Sequence, residues 1–201
     1  MTKIGVLALQ GGVAEHLASL RRLDGSDRAS GGAGIEARRV LVSADLDGLD
    51  GIILPGGEST AVGKLLAEGG LGAELKAAVA GGLAAWGTCM GAILLARAVG
   101  GGETHLSLMD IRVERNAYGS QLDSFTGSHP MAGLEGGPFP MVFIRAPVIS
   151  FAGPGASILA RVSGDIVGCR QGRLLATTFH PELTADTRVH AMFVRMARGQ
   201  E

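Results

Sequence analysis

The sequence predicts a mixed α/β fold in which a mostly parallel central sheet carries helices on both faces and an antiparallel extension. Over the first half of the chain, short apolar runs alternate with helical patterns, an order typical of a parallel sheet covered by helices. After Gly100 the helical patterns give way to short strand candidates separated by turns. A length of 201 residues suits a single domain over 1–201, and a 46% apolar composition is enough for a sizeable core.

The first half of the chain predicts strands and helices in alternation. An apolar, β-branched run at 3–9 ends at the turn Gln10-Gly11-Gly12 and predicts the first strand. Apolar side chains then recur at helical spacing over 13–23, and the polar, glycine-rich segment 24–34 predicts a mobile loop. Further strands are predicted at 35–42, 51–54 and 83–86, and further helices at 60–68, 71–80 and 90–98. Ser59 or Thr60 is the expected N-cap of the helix at 60–68.

Short strands separated by turns dominate the second half. They are predicted at 111–114, 121–126, 141–144, 158–162, 165–169 and 174–178. The last helix is predicted at 184–198, where Val189, Phe193 and Met196 fall on one face. We interpret these strands as an extension of the same sheet and not as a second domain.

Composition and charge exclude several classes of protein. The 18 basic and 19 acidic residues leave a net charge of −1, so we expect no binding of nucleic acid or of an anionic membrane. No apolar run reaches the ~18 residues of a membrane span, and the N-terminal residues enter a strand pattern without a signal peptide. Two cysteines are too few for a disulfide framework. We therefore expect a cytoplasmic protein with reduced thiols.

One cysteine lies between two glycines, where a buried strand meets a helix. The segment Gly87-Thr88-Cys89-Met90-Gly91 is typical of a nucleophile elbow with cysteine in place of serine. The elbow strains the backbone at the nucleophile, and side chains at the two glycines would clash with the strand and the helix. A helix N-terminus favours the thiolate, and the N–H of Met90 would face a developing oxyanion. Cys89 is the candidate nucleophile, whereas Cys169, at the end of a strand, is expected in the core.

One of the five histidines is placed to act as the base. His180 follows a strand in the segment Phe179-His180-Pro181-Glu182, and Pro181 biases it toward an extended conformation. Residues two apart in an extended chain project to the same side, so Glu182 can reach the imidazole and fix its tautomer. A relay of Cys89, His180 and Glu182 is therefore physically coherent.

The other histidines have no such setting in the sequence. His16 and His190 fall in helical patterns without an acid–base partner at a suggestive spacing, and His105 and His129 are expected in surface loops. No spacing of histidine and cysteine resembles a metal site, so no metal is expected.

A third motif is the turn PGGEST at 55–60, which again joins a strand to a helix. Exposed N–H groups at such a turn form an anion nest, and Gly57 is placed to complete an oxyanion hole with Met90. A dinucleotide site is disfavoured because the GxGxxG spacing is absent.

These motifs together resemble one family. GTCMG at 87–91, PGGEST at 55–60 and FHPEL at 179–183 are similar to the motifs of triad-type (class I) glutamine amidotransferases. More narrowly, GVLALQG at 5–11, VERNAYG at 113–119, SF at 124–125 and FIRAP at 143–147 resemble the glutaminase subunit of pyridoxal 5′-phosphate synthase. The resemblance covers residues 4–196 and implies a flavodoxin-like, three-layer class I amidotransferase fold.

The resemblance implies hydrolysis of L-glutamine to L-glutamate and ammonia. Cys89 would attack the side-chain amide to form a γ-glutamyl thioester, His180 would shuttle the proton, and Glu182 would orient His180. The glutamine-binding residues implied by the motifs are Gly57, Glu58, Ser59, Arg115, Ile144 and Arg145.

The resemblance also implies a partner. The ammonia would pass to a separate lyase subunit that makes pyridoxal 5′-phosphate, so this compound is the product of a hetero-oligomeric complex and no cofactor is expected on this chain. Gln10 would lie near the contact with that subunit. Two departures from the family pattern are Ser120, where arginine usually follows Tyr-Gly, and the long segment 24–34.

Three alternatives remain open at this point. The chain could be the glutaminase subunit of another amidotransferase pathway, or a γ-glutamyl hydrolase or cysteine peptidase of related fold. It could also be a non-enzymatic module that kept the elbow as a scaffold, although nucleophile, base and orienting acid are all present.

Overall fold

A 10-stranded mixed sheet lies at the centre of residues 1–115 and 124–200, the part of the chain that the computed structural model describes. The strands of the whole fold, in chain order, are β1 Thr2–Leu7, β2 Ile35–Val40, β3 Gly51–Leu54, β4 Ala84–Thr88, β5 Ala96–Gly100, β6 Met109–Glu114, β7 Ser124–His129, β8 Phe139–Ile144, β9 Val148–Ala152, β10 Ser157–Val162, β11 Asp165–Gln171 and β12 Leu174–Thr177. The helices are α1 Val13–Ala29, α2 Ser59–Glu68, α3 Leu71–Ala80, α4 Met90–Leu95 and α5 Arg188–Ala197, with 3₁₀ turns at Ser43–Leu46 and Pro181–Leu183.

The sheet has a parallel part and an antiparallel part, as predicted. Its order is β2-β1-β3-β4-β12-β11-β9-β6-β5, with β10 paired to β11, and β7 and β8 form a separate hairpin. Strands β2, β1, β3, β4 and β12 are mutually parallel, whereas β11 runs antiparallel to β12, β9 and β10. The carboxyl ends of β1, β3, β4 and β12 therefore meet at one edge, where α/β sheets bind their ligands.

Helices cover both faces of the parallel strands. Successive residues of β3 point to opposite faces of the sheet. Ile53 packs with α1 and α5, and Leu54 packs with α2, α3 and α4. Trp86 in β4 is fully buried on the same side as Ile53. Because both faces of the central strands β3, β4 and β12 are buried, their side chains are mostly apolar, which is why these strands could be recognised in the sequence.

The predicted loop at 24–34 is wrong over its first part, because α1 continues to Ala29. Charged side chains stabilise this extension. Asp24 pairs with Arg28 one turn on, with 2.9 Å between Oδ1 and Nε, and it also accepts the backbone N–H of Ile35 at 2.6 Å. Asp27 pairs with Arg198 at 2.9 Å. The polar composition of this segment predicts a loop, but the segment is helical because a pair one turn apart and contacts with distant residues stabilise it.

Other element boundaries also differ from prediction. The helix predicted at 90–98 ends at Leu95, since Ala96–Gly100 pairs in parallel with Met109–Glu114. The last helix begins at Arg188, whose N–H is accepted by the Asp186 carboxylate at 3.0 Å. The N-cap of α2 is Glu58, not Ser59 or Thr60. Strand β9 was not predicted.

Some predicted features fall on residues outside the described ranges. Of the strand predicted at 121–126, the structure describes residues 124–126, which belong to β7. Ser120 and the end of the VERNAYG motif also lie outside the described residues. None of the helices within 1–115 and 124–200 combines the length and apolar character needed to cross a membrane.

Candidate active site

Cys89 lies at the tip of a strained turn between β4 and α4. Its backbone has φ 49° and ψ −113°, a conformation that costs a non-glycine residue free energy and that clusters at functional sites. The flanking glycines permit the turn. A Cβ at Gly87 would strike the carbonyl of Gly91, and a Cβ at Gly91 would strike the carbonyl of Leu54. The nucleophile elbow predicted from the sequence is therefore present as a backbone geometry.

The thiol is almost enclosed. Cys89 is 3% exposed, its backbone N–H donates to Thr177 O at 2.8 Å, and its Sγ lies 3.9 Å from the carbonyl oxygen of Ile144. Cys169 lies elsewhere, fully buried in β11, where desolvation raises the pKa of its thiol to about 11. That cysteine is a core residue, as predicted.

His180 and Glu182 form the second part of the site. Nδ1 of His180 lies 2.7 Å from Oε1 of Glu182, whose side chain is 1% exposed. The backbone N–H of His180 donates to Val142 O at 2.8 Å, which attaches this segment to β8. Pro181 follows His180 and starts the 3₁₀ turn that carries Glu182. The pair predicted from the spacing of two residues is thus in contact.

The electrostatics of His180 favour its protonated form. Burial alone lowers its pKa, but hydrogen bonds to Cys89 and Glu182 and the charges of the same two groups outweigh burial and raise the pKa to about 10. The carboxylate on Nδ1 and the charge of the nearby Cys89 side chain both favour the imidazolium. The ring can therefore hold a proton near neutral pH and deliver it to a leaving group.

The turn after β3 packs against the segment that carries Cys89 and His180. Gly56 allows this approach, because a Cβ there would lie 2.9 Å from Cε1 of His180 and 3.3 Å from Cβ of Cys89. Gly57 has φ 153°, and the next N–H, from Glu58, donates to Oε1 of Gln10 at 2.6 Å. Gly11 lies against the same turn, since a Cβ there would strike Gly56 O. The β1–α1 turn and the β3–α2 turn therefore support each other.

A cavity of about 390 Å³ opens at this edge of the sheet. Its lining brings together nearly all of the residues that the sequence suggested. They are Gly57, Glu58, Cys89, Met90, Arg115, Ile144, Arg145 and His180. Among the glutamine-binding residues implied by the motifs, the exception is Ser59, which is the first residue of α2 and is 1% exposed. Glu182, behind His180, and Gln10 also lie outside the lining.

The cavity carries charges of both signs. Oε1 of Glu58 lies 3.2 Å from Nη2 of Arg115, and the backbone N–H groups of Thr60 and Ala61 lower the pKa of the Glu58 carboxyl. Arg145 adds a second guanidinium to the lining. A free amino acid presents an ammonium and a carboxylate, so a pocket with an ionised acid and two arginines is suited to one.

Two histidines that the sequence did not connect to the site lie directly behind Glu182. Nε2 of His16, in α1, is 3.4 Å from Oε2 of Glu182, and Nδ1 of His16 is 3.1 Å from Nε2 of His190, in α5. His16 and His190 are 174 residues apart in the chain, and helical periodicity alone identifies them only as core positions. No local spacing could have found them.

The remaining histidines, His105 and His129, are not part of the described lining of the cavity, although the charges of Arg115 and Glu58 in that lining act on the pKa of His105. His105 lies in a loop against Gly63, and His129 is the last residue of β7. Both are partly buried, so the prediction of simple surface loops is wrong for His129 and incomplete for His105. Within residues 1–115 and 124–200, no group of three or more histidine, cysteine or acidic side chains is arranged to hold a metal ion.

The strained thiol, imidazole and carboxylate form an arrangement typical of hydrolases with a cysteine nucleophile. The model of the SNO glutamine amidotransferase family matches residues 6–198, and the chain belongs to that family. The curated "Pyridoxal 5'-phosphate synthase subunit PdxT" of Deinococcus radiodurans is 52% identical over 200 residues, 96% of each chain. The protein of the same name from Acidothermus cellulolyticus is 47% identical over 206 residues, 98% of this chain and 95% of its own.

Solved structures agree with this fold. A crystal structure titled as a glutamine amidotransferase superposes with a TM-score of 0.87 at 45% identity, covering 97% of this chain and 98% of its own. Another glutamine amidotransferase, from Thermotoga maritima, has a TM-score of 0.62 at 12% identity and covers 98% of this chain and 83% of its own. The second likeness shows the fold alone.

Proposed function

We propose that this protein is a glutaminase subunit that hydrolyses L-glutamine to L-glutamate and ammonia, the ammonia serving pyridoxal 5′-phosphate synthesis. The observation that carries the proposal is the cavity in which the Cys89 thiol and the His180 imidazole meet one ionised carboxylate and two guanidinium groups. Relatives named as subunits of pyridoxal 5′-phosphate synthase, similar over nearly the whole chain, support the choice of pathway.

The first half of the reaction forms an acyl-enzyme. The Cys89 thiolate attacks the side-chain amide carbon of glutamine, and the carbonyl oxygen becomes an oxyanion facing the backbone N–H groups of Gly57 and Met90. The imidazolium of His180 gives its proton to the amide nitrogen, the C–N bond breaks, and ammonia leaves. A γ-glutamyl thioester on Cys89 and a neutral His180 remain.

The second half hydrolyses the thioester. Neutral His180 takes a proton from a water molecule, and the resulting hydroxide attacks the thioester carbonyl. The C–S bond breaks, glutamate leaves, and the thiolate and imidazolium are restored. Glu182 holds the imidazole with Nδ1 protonated throughout, so that Nε2 faces the thiol and the water. The proposed reaction uses only water and this chain's own residues, and the reduced thiol it needs suits the cytoplasm.

The substrate is held by the groups that line the cavity. We assign the α-ammonium and α-carboxylate of glutamine to Glu58 and to the guanidinium groups of Arg115 and Arg145, because these charged side chains lie in the described part of the lining and are not engaged in the proton transfer proposed for His180. Gly57 and Ile144 contribute backbone to the same wall. Ser59, being buried at the start of α2, acts through the backbone turn.

The partner is the lyase subunit of the synthase, in a hetero-oligomeric complex. Gln10 is the residue we place near the contact, since it lies at the end of the β1–α1 turn and is exposed. Its side-chain oxygen accepts the N–H of Glu58 at 2.6 Å. A partner that contacts Gln10 would therefore act directly on the turn that carries Gly57.

The test is an ammonia-release assay on glutamine, with and without the lyase subunit of the same organism. We expect slow release by the isolated chain and a clear rise with the lyase subunit, and no rise with the synthase subunit of an unrelated amidotransferase. Stimulation only by the unrelated synthase would overturn the choice of pathway. Hydrolysis of γ-glutamyl peptides in preference to glutamine would overturn the substrate.

A further inference from the structure

A buried pair of imidazoles supports Glu182 from the side opposite His180. His16 and His190 are both fully buried. Nε2 of His16 lies 3.4 Å from Oε2 of Glu182 and 3.2 Å from Oγ1 of Thr88, and its Nδ1 lies 3.1 Å from Nε2 of His190. Glu182 thus lies between two imidazoles, with one carboxylate oxygen directed to each.

The packing around the pair leaves the rings little freedom. The indole of Trp86 makes edge contacts with both imidazoles, with ring centroids 5.6 Å from His16 and 5.0 Å from His190. Its Nε1–H donates to Oγ1 of Thr177 at 3.0 Å, which fixes the indole. At the start of α1, a Cβ at Gly12 would lie 3.0 Å from Oε1 of Glu182, so the helix begins directly against the carboxylate.

The distances select one arrangement of protons. Burial lowers the pKa of both histidines, that of His190 to about 3, so each ring is neutral and carries a single N–H. With the hydrogen of His16 on Nε2, it faces Glu182 and Thr88, and Nδ1 accepts the Nε2–H of His190. The remaining atom, Nδ1 of His190, is then an unprotonated nitrogen, and the described structure gives it no hydrogen-bond partner.

The opposite tautomer is much less favourable. With the hydrogen of His16 on Nδ1, its Nε2 lone pair would face the carboxylate oxygen of Glu182. His190 would then accept at Nε2 and carry its hydrogen on Nδ1, which has no acceptor in the described structure. Oε2 of Glu182 has no hydrogen-bond partner in the described structure. Nε2 of His16, 3.4 Å away, makes an electrostatic contact to that oxygen.

We propose that His16, held in one tautomer by His190, is a positioning residue that orients the carboxylate of Glu182 toward His180. The inference rests on the proposed function, because orienting Glu182 matters only where His180 serves the Cys89 thiol. It extends the relay from three residues to five buried or half-buried groups. Other polar groups face the residues of this relay. Thr88 lies beside His16, His180 lies beside Glu182, and the charge of Arg22 contributes to the lowered pKa of His190.

Two polar substitutions of similar character separate positioning from packing. In His16→Gln the amide nitrogen takes the place of Nε2 and can still donate to Glu182. In His16→Asn the shorter side chain takes the place of Nδ1 and cannot reach the carboxylate. We expect His16→Asn to lower kcat for glutamine hydrolysis about tenfold with KM within about twofold, as for one lost charge-assisted contact, and His16→Gln to restore most of it.

A second readout does not depend on glutamine turnover. The rate of Cys89 alkylation by iodoacetamide against pH reports the thiolate that is paired with His180. We expect the dependence of the alkylation rate on pH to differ from that of the wild type in His16→Asn and to match the wild type again in His16→Gln. His129→Asn, outside the site, is the control. Failure of wild-type protein to release ammonia would overturn the proposed function, whereas this profile would still test the relay.

Equal impairment of both variants, in protein with wild-type circular dichroism, would show that His16 only fills space and would overturn the proposal. An unchanged kcat and an unchanged alkylation profile in folded His16→Asn would do the same. Should His16→Asn fail to fold, His16→Gln decides the question. A folded His16→Gln protein with a tenfold loss of kcat would contradict a donor role for His16. A folded His16→Gln protein with the wild-type kcat and the wild-type alkylation profile would support it.

Discussion

Nδ1 of His180 lies 2.7 Å from Oε1 of Glu182, although the two residues are separated only by a proline. The contact arises because Pro181 holds the chain at the start of a 3₁₀ turn directly after β12. The same carboxylate meets His16 on its other oxygen. Glu182 therefore joins a local motif to the buried face of two distant helices.

Removing the negative charge of Glu182 should lower the pKa of His180. In Glu182→Gln the shape remains, but the carboxylate that favours the imidazolium is lost, so the pKa should fall from about 10. The change is measured by NMR titration of the His180 ring. We expect kcat to fall by roughly 10²–10⁴ at the same time, since a neutral amide no longer supports the imidazolium. A His180 titration that does not move would contradict the assigned role of Glu182.

The two cysteines should differ sharply in function. Cys89→Ala removes the nucleophile, and we expect loss of glutamine hydrolysis by roughly 10⁴ or more, to the limit of the assay. Cys169→Ala, the matched control in β11, should cost about 1 kcal/mol of stability and leave activity near wild type. The activity of both variants is measured by ammonia release with the lyase subunit present. Stimulated activity in Cys89→Ala would show that the nucleophile lies elsewhere.

The glycines of this chain should divide into those that the elbow requires and those that it does not. A methyl group at Gly91 would strike the carbonyl of Leu54, so Gly91→Ala should destabilise the fold by about 1–3 kcal/mol and displace Cys89. Gly25, within α1, has nothing within 4 Å of an added Cβ. Gly25→Ala should stabilise the protein by about 0.5–1 kcal/mol through helix propensity. Urea unfolding measures both, and equal effects at the two positions would contradict the argument.

Stability should fall below neutral pH because of the buried histidines. The pKa of His190 is lowered to about 3 and that of His16 is also lowered, both mainly by burial. Above about pH 6.5 both rings are neutral in the folded and unfolded chains, so these two histidines do not lower the free energy of unfolding there. Below that pH the unfolded chain takes up protons on these histidines that the folded chain does not, and for His190 this should cost roughly 1.5 kcal/mol between pH 6.5 and 5, with a further loss from His16.

His180 offsets only part of this loss, because its stabilisation grows as the pH falls from 7.5 to about 6.5 and does not grow further below that. Its raised pKa stabilises the fold fully below about pH 6.5, and that part is lost only as the pH rises toward about 10. Urea titrations at pH 7.5 and 5 test the prediction. His190→Asn should remove about half of the pH dependence, and His129→Asn should leave it unchanged. A wild-type stability that is flat between these pH values would contradict it.

The local motifs were predictable because each depends on residues that are close together in the sequence. An elbow needs glycines two residues on either side of the nucleophile, and Gly87 and Gly91 flank Cys89 in the sequence. A proline-bound pair needs its histidine and carboxylate two apart, as His180 and Glu182 are. The central parallel strands β3, β4 and β12 were predictable because both of their faces are buried and so their side chains are mostly apolar.

Features that depend on distant partners were not predictable. The charged segment 24–29 is helical because Asp27 meets Arg198 from the other end of the chain. The run Ala96–Gly100 is a strand because β6 pairs with it, against a local helical preference. Capping of α2 by Glu58 depends on a turn geometry that Gln10 helps to hold.

The sequence by itself identified the candidate nucleophile, the candidate base and the candidate orienting acid, and it predicted the alternation of strands and helices. These follow from residue spacing and from the burial that each spacing implies. Only the tertiary structure decided that His16 and His190 lie behind Glu182, and that one carboxylate and two guanidinium groups converge on the thiol. The physical reason is that packing brings together side chains from different elements, and no local pattern encodes which buried groups will meet.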